Sequence, residues 1–160
     1  MPPAAIPLRI GNKLLEALPP SAASRAWRLL QRSHLALFRA SGGRLGSTLG
    51  GAKILFLHHV GRRSGEPRLS PLLYVDDRDR VAIIASKGGH PRHPAWFHNL
   101  VATPDAEIEI GRGRRPVRAR IAEGEERERL WAKAVAAWPD YERYQARTDR
   151  QIPVVVLEPR

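Results

Sequence analysis

The chain has no cysteine, which removes disulfide frameworks, thiolate metal sites and thiol nucleophiles in one step and makes the cytoplasm its expected compartment. Long apolar runs are missing too. Nothing approaches the roughly 20 residues that span a bilayer, and the opening stretch MPPAAIPLRIGNKLLEALPP is too broken by proline to read as a secretory signal. Acids are scarce, 16 against 27 Lys and Arg, for a net charge of +11, and the aromatic residues are only 4 Trp, 3 Tyr and 3 Phe. A length of 160 residues allows one domain with a real core but not two comfortable ones.

The basic excess is uneven: residues 1–75 hold 11 Lys and Arg against 2 acids, whereas residues 76–160 hold 16 against 14. Such a field favours nucleic acid, an anionic membrane surface or a polyanionic small ligand, and charge alone does not choose among them. Of the 27 basic residues 23 are arginine, the side chain suited to bidentate phosphate and carboxylate contacts, although a GC-rich genome produces the same bias.

Residues 1–20 read as a loosely ordered arm. Residues 22–40, AASRAWRLLQRSHLALFRA, have no Gly or Pro and predict a helix with Arg25, Arg28, Arg32 and Arg39 on one stripe and Trp27, Leu30, His34, Leu37 and Phe38 opposite. It is either a helix packed on the domain or one lying on an anionic bilayer. The glycine-rich SGGRLGSTLGG predicts a hinge, dividing an arm and helix at 1–45 from a domain at 46–160. Beyond it the period changes. KILFLHHV, SPLLYVD, RVAIIAS, AEIEIG, PVRARIAE and IPVVVLEP read as six short strands, with DDRD and GRGRR as hairpin turns. Helices are expected in HPAWFHNLVATP and GEERERLWAKAVAAW. The fold class is therefore α+β and mainly β: an antiparallel barrel of about six strands with flanking helices and an N-terminal helix.

Candidate chemistry narrows quickly. His58 and His59 are neighbours in a strand and so face opposite sides, and His90, His93 and His98 lack the nearby acid of a hydrolytic metal motif, so no metal is expected. Ser64, Ser70 and Ser86 lack a G-x-S-x-G turn. By contrast GRRSGEPRLSP, residues 61–71, joins two strands with Arg62, Arg63, Arg68, Ser64 and two glycines, a composition suited to cradling phosphate or carboxylate; an exposed hairpin turn with solvated arginines is the plainer alternative. ASKGGHPRHPAWFHN, residues 85–99, leaves a strand through Ser86, Lys87 and a glycine pair and enters a helix carrying Trp96, Phe97 and Asn99, where a flat ring could lie unless Trp96 is core.

Taken in order, GRRSGEPRLSPLLYV, IIASKGGHPRHPAWFHNL, EERERLWAKAV and YERYQARTDRQIPVVVLEP resemble the deazaflavin-dependent nitroreductase family, split-barrel oxidoreductases of actinobacteria that use coenzyme F420, an 8-hydroxy-5-deazaflavin. The resemblance covers most of residues 40–160 and implies an FMN-binding split barrel-like fold. It further implies hydride transfer from reduced F420 to an electron-poor acceptor: a quinone, an activated alkene or a nitroaromatic. Coenzyme contacts implied for this chain are Arg62, Arg63, Ser64, Arg68, Leu69, Ser70, Pro71, Leu72, Leu73, Ile84, Ala85, Ser86, Lys87, Ala95, Trp96, Phe97, His98, Asn99 and Tyr141, with Ser86 and Tyr141 as hydrogen-bond donors to the reacting partners. Trp138, Tyr141 and Tyr144 would share a helix face; nitro-reducing members carry tyrosine at all three places.

Some members of that family associate with membranes, which would give residues 22–40 a role in peripheral contact at the inner face of the cell membrane; a homodimer is the other expected association. Two readings of different class remain beside the oxidoreductase. One is an FMN-binding or non-catalytic barrel that carries a flavin, haem or fatty acid. The other is a basic nucleic-acid module, which would want aromatics interleaved with basic residues on one sheet face, whereas the aromatics here cluster in helical segments; nucleic acid is not an expected partner.

Overall fold

A computed structural model describes residues 29, 32–33, 35–41 and 48–160; the arm at 1–20, the residues Arg25, Trp27, Arg28, Leu30 and His34 and most of the glycine segment lie outside the described residues. Helix α1 covers residues 35–40. The strands are β1 (Thr48–Leu49), β2 (Ala52–Val60), β3 (Pro67–Asp77), β4 (Arg80–Ile84), β5 (Asp105–Ile110), β6 (Gly113–Ile121) and β7 (Val154–Pro159). A 3-10 turn at Lys87–Gly89 precedes α2 (Ala95–Ala102), and α3 (Gly124–Ala137) and α4 (Asp140–Ala146) lie between β6 and β7.

The strands are antiparallel in the order β1-β2-β3-β4-β7-β6-β5, and β5 returns to pair with β2 through Phe56↔Glu109, Leu57↔Ile108 and His58↔Glu107. Six strands thus close into a barrel with β1 as an extra strand, so the expected split barrel is the observed one. Three details depart from the expectation. A two-residue strand forms inside the segment read as a hinge. β3 starts at Pro67, at the end of its ladder where a missing N–H costs least, so Arg68 is a strand residue. Tyr141 and Tyr144 share α4, but Trp138 ends α3 before Pro139, so the three rings do not line one helix.

Alternation sorts the side chains. Leu55, Leu57, Tyr74, Val81, Ile83, Ile108, Val117, Val155 and Leu157 fill the barrel, and Trp96, Phe97 and Leu100 of α2 close the same cluster. On the outer wall Val75, Ala82, Ile84, Val154 and Val156 are covered by Leu130, Ala134 and Tyr141 of α3 and α4. A second stretch of outer wall, Phe56 and Glu109, meets α1: Phe38 is fully buried with its ring 4.9 Å from that of Phe56. Arg39 donates twice to Glu109, at 2.7 Å each, and His58 Nε2 lies 3.1 Å from the same carboxylate. Arg39 is therefore no member of a purely solvated stripe.

The hydrogen bond from Arg39, reinforced by His58 and opposed by burial, holds the Glu109 carboxyl at about 2. A depressed carboxyl contributes its full stabilisation above the unfolded value of about 4.3 and loses it as pH falls toward 2. Replacing Glu109 by Gln should therefore lower the urea midpoint at pH 7 far more than at pH 3, measured against the unmodified chain; an equal loss at both would show that the ion pair is not the anchor of α1.

Candidate functional site

β2 and β4 both run toward one end of the barrel and β3 leaves from it, so the two connections marked in the sequence lie at the same end. The first, between β2 and β3, is a tight turn: Gly65 N–H donates to Gly61 O at 2.7 Å and Gly61 N–H to Glu66 O at 2.8 Å. A Cβ on Gly61 would stand 2.6 Å from Ser64 Oγ, so a side chain there would push the Ser64 hydroxyl out of its contacts with Glu66 N–H and Arg68. Ser64 Oγ accepts from Glu66 N–H and from Arg68, both at 3.3 Å, and Glu66 lies 3.6 Å from Arg68. Glu66 and Ser64 thus occupy Arg68 locally. The Arg62 and Arg63 side chains point into solvent with no ion pair among the described residues. Elsewhere Arg39, Arg80, Arg114, Arg118, Arg120 and Arg129 are each matched to a carboxylate.

A buried polar chain pins this turn to the barrel. Arg62 N–H donates to Asn99 Oδ1 at 3.0 Å, Asn99 Nδ2 lies 3.1 Å from His59 Nδ1, and His59 Nε2 lies 3.1 Å from Ser70 Oγ. Burial, with the Arg68 and His58 charges adding to it, pushes the His59 imidazole down to about 4, so it is neutral at physiological pH.

The second connection follows Ile84 and Ala85, both buried at the end of β4. Lys87 is exposed, without an ion pair among the described residues, and takes a left-handed φ of 48°. Gly89, at φ 82°, lets α4 approach: a Cβ there would stand 2.5 Å from the Tyr144 carbonyl. Arg150 fastens the loop from beneath, donating to the carbonyls of Ala85 (3.1 Å), Ser86 (2.8 Å) and His90 (2.9 Å), with His93 Nδ1 at 3.1 Å. Among the described residues no carboxylate meets this guanidinium. Beside the loop, Tyr141 is buried between the Trp131 and Tyr144 rings at 6.1 and 6.0 Å, and burial raises its hydroxyl above the ordinary phenol range.

The residues singled out in the sequence therefore divide. Arg62, Arg63, Ser64, Arg68, Ser70 and Asn99 come together around the first turn. Leu73, Ile84 and Tyr141 line a small outer-wall cavity with Trp138. Ser86 and Lys87 follow Ile84 and Ala85 directly, while Leu69, Pro71 and Leu72 continue β3 half-buried. Trp96 and Phe97 are each only 7% exposed and belong to the barrel core, so the aromatic surface expected there is packing, leaving Ala95 and His98 as the accessible positions of that stretch. His59 and Arg150 were not among the marked residues; the only signals were a histidine two residues before Gly61 and a cation just ahead of the apolar run IPVVVL. Replacing Arg150 by Met removes the donor from three carbonyls and should cost about 2–3 kcal/mol in chemical denaturation; a loss under about 0.5 kcal/mol would mean water serves the loop equally well.

Comparisons with known proteins agree with one another. A family model described as F420H(2)-dependent quinone reductase matches residues 30–159. An F420H(2)-dependent quinone reductase of Mycobacterium tuberculosis is 43% identical over 132 residues, 80% of this chain and 89% of that protein. Among solved structures, an F420-H2 dependent reductase, FDR-A, shares 43% identity over 66% of this chain and 93% of its own, with a TM-score of 0.62. Another, described as a domain-swapped dimer, shares 37% identity over 84% and 99%, with a TM-score of 0.65. The haem storage protein HutZ of Vibrio cholerae, 16% identical over 67% of this chain and 81% of its own, with a TM-score of 0.50, shares the fold alone.

Proposed function

The chain belongs to the F420H(2)-dependent quinone reductase family and is an oxidoreductase that uses reduced coenzyme F420, and from that premise we propose how its own residues divide the work. The observation that carries the assignment is the pair of unmatched guanidiniums, Arg62 and Arg63, on a turn held at Asn99. A glycine-closed turn bearing donors without acceptors fits the phosphodiester and glutamate tail of F420, a long polyanion with one flat redox end. Lys87, exposed on the neighbouring loop, extends the same field.

When bound, reduced F420 supplies a hydride from C5 of its ring, and a quinone that takes it together with a proton becomes the hydroquinone. The protein's share is orientation and electrostatics. Arg62, Arg63 and Lys87 hold the anionic tail. Ser86 is half-buried with no side-chain hydrogen bond among the described residues, which leaves its hydroxyl to donate to negative charge developing on the acceptor or ring. Tyr141 keeps its proton across the physiological range, because burial disfavours the phenolate, so its hydroxyl remains able to donate or its ring serves as a wall for the coenzyme.

Replacing Arg62 and Arg63 together by Ala removes two charge-assisted contacts at about 1.5–3 kcal/mol each. F420 binding, followed by fluorescence titration, should weaken at least a hundredfold and lose most of its salt dependence; undiminished binding would put the anion site elsewhere. Ser86→Ala should lower kcat and leave F420 affinity within about twofold, since the contact belongs to the reaction rather than to the tail.

Peripheral membrane contact through residues 22–40 is a further reading, supported by Leu29 and Leu37, which are 63% and 52% exposed. Leu29→Glu with Leu37→Glu should release the full chain from anionic vesicles in co-sedimentation while F420 affinity stays unchanged; equal sedimentation of both forms would remove the membrane from the account.

A further inference from the structure

The buried chain at the barrel end contains Ser70, His59 and Asn99 in sequence, which in outline resembles a nucleophile, base and orienting residue. Its hydrogens run the other way. A backbone N–H can only donate, so the atom of Asn99 that faces Arg62 N at 3.0 Å is its oxygen. The Asn99 amide nitrogen therefore faces His59 and donates to Nδ1 at 3.1 Å, and Nδ1 must be bare. A neutral imidazole has one N–H, which then sits on Nε2 and donates to Ser70 Oγ at 3.1 Å. His59 cannot take the Ser70 proton. The seryl proton is instead unspent, since Ser70 has no other hydrogen-bond partner among the described residues.

Position agrees with polarity. The register pairs His59 with Arg68 and Leu57 with Ser70, so Arg68 and Ser70 project from the same face of β3, and Arg68 reaches Ser64 in the turn. Ser70 is half-buried, whereas His59 and Asn99 are 6% and 7% exposed. In the dry part of the chain every side-chain polar atom of His59 and Asn99 has a partner, and the Ser70 hydroxyl keeps its proton at the wetter end.

We infer that His59 is a positioning residue: as its Nε2–H tautomer, set by Asn99 and ultimately by the backbone N–H of Arg62, it turns the Ser70 hydroxyl into a hydrogen-bond donor for an acceptor-only oxygen of the coenzyme, a ring carbonyl or a phosphate. The inference rests on the F420 reading above. It makes Ser70 a further donor beside Arg62 and Arg63, and it ties that donor to the same turn, because a shift of Arg62 N would free Asn99 to rotate and allow the opposite tautomer.

The test begins with the full, unmodified chain labelled with nitrogen-15 histidine, where the ring-nitrogen shifts of His59 report the tautomer at pH 7. Protonation at Nε2 is expected, and protonation at Nδ1 overturns the inference. Ser70→Ala and His59→Leu, each confirmed folded by thermal denaturation, should weaken F420 binding by about three- to tenfold, the range for one neutral hydrogen bond. The double variant should be no weaker than the worse single one, because the two groups act as a unit. Parallel titration with a deazaflavin lacking the phosphodiester tail separates the two oxygens: a loss that persists assigns the ring carbonyl, and a loss seen only with F420 assigns the phosphate. Additive losses, or none from either variant while the unmodified chain binds F420, would overturn the relay alone. Failure of the unmodified chain to bind F420 would overturn the reading of the site and, with it, the Ser70 contact.

Discussion

Everything at the site depends on α2 standing in the end of the barrel. Closing six strands abolishes sheet edges but leaves open ends, and Trp96, Phe97 and Leu100 carry one helix face into the interior cluster. A helix seated there brings a polar residue with it, and a buried amide without partners costs more than a hydrogen bond gains. Asn99 finds one partner in His59 and the other in the backbone of Arg62. The helix that seals the core is therefore also what holds the arginine turn, so core packing and the placing of the proposed anion site meet in one side chain.

The adjacent histidines show how a strand divides labour. His59 faces inward with Leu55 and Leu57 and joins the chain to Ser70; His58 faces outward with Phe56 and meets Glu109 beneath α1. That the two face opposite sides follows from the two-residue period and was readable in the sequence. What each would touch was not, because Asn99 and Glu109 lie 40 and 51 residues further on and reach them only after closure of the barrel.

The same boundary between local and long-range information runs through the rest of the chain. Hairpin turns at Arg78 and Gly111, the six barrel strands and the first turn of α3 obey signals within a few residues and could be read directly. The place of Trp96 could not: an amphipathic stretch does not say whether its aromatic face meets a ligand or a core, and only the seating of α2 decides for the core. β1 was hidden by glycines that read as a hinge, since two residues of strand carry no period. Arg150 was hidden because its acceptors are carbonyls, which every sequence contains, presented together only where the Ser86 loop curls over it.

Charge makes the last link from composition to site. A net +11 favours any polyanion, but Arg39, Arg80, Arg114, Arg118, Arg120 and Arg129 are answered by Asp or Glu on the barrel wall. An answered guanidinium contributes little field beyond a Debye length and little affinity. Cations left unanswered beside the loops are different in kind. Among the described residues Arg62, Arg63 and Lys87 meet no carboxylate and face solvent, and Arg150, matched there to carbonyls and an imidazole, places a positive charge under the Ser86 peptide. Because β2, β3 and β4 bring both loops to one end of the barrel, these charges sum there into a field suited to a ligand with negative charge along its length. An electron-rich, multiply anionic coenzyme meets that description; a neutral flavin-sized ligand would leave most of the field unused.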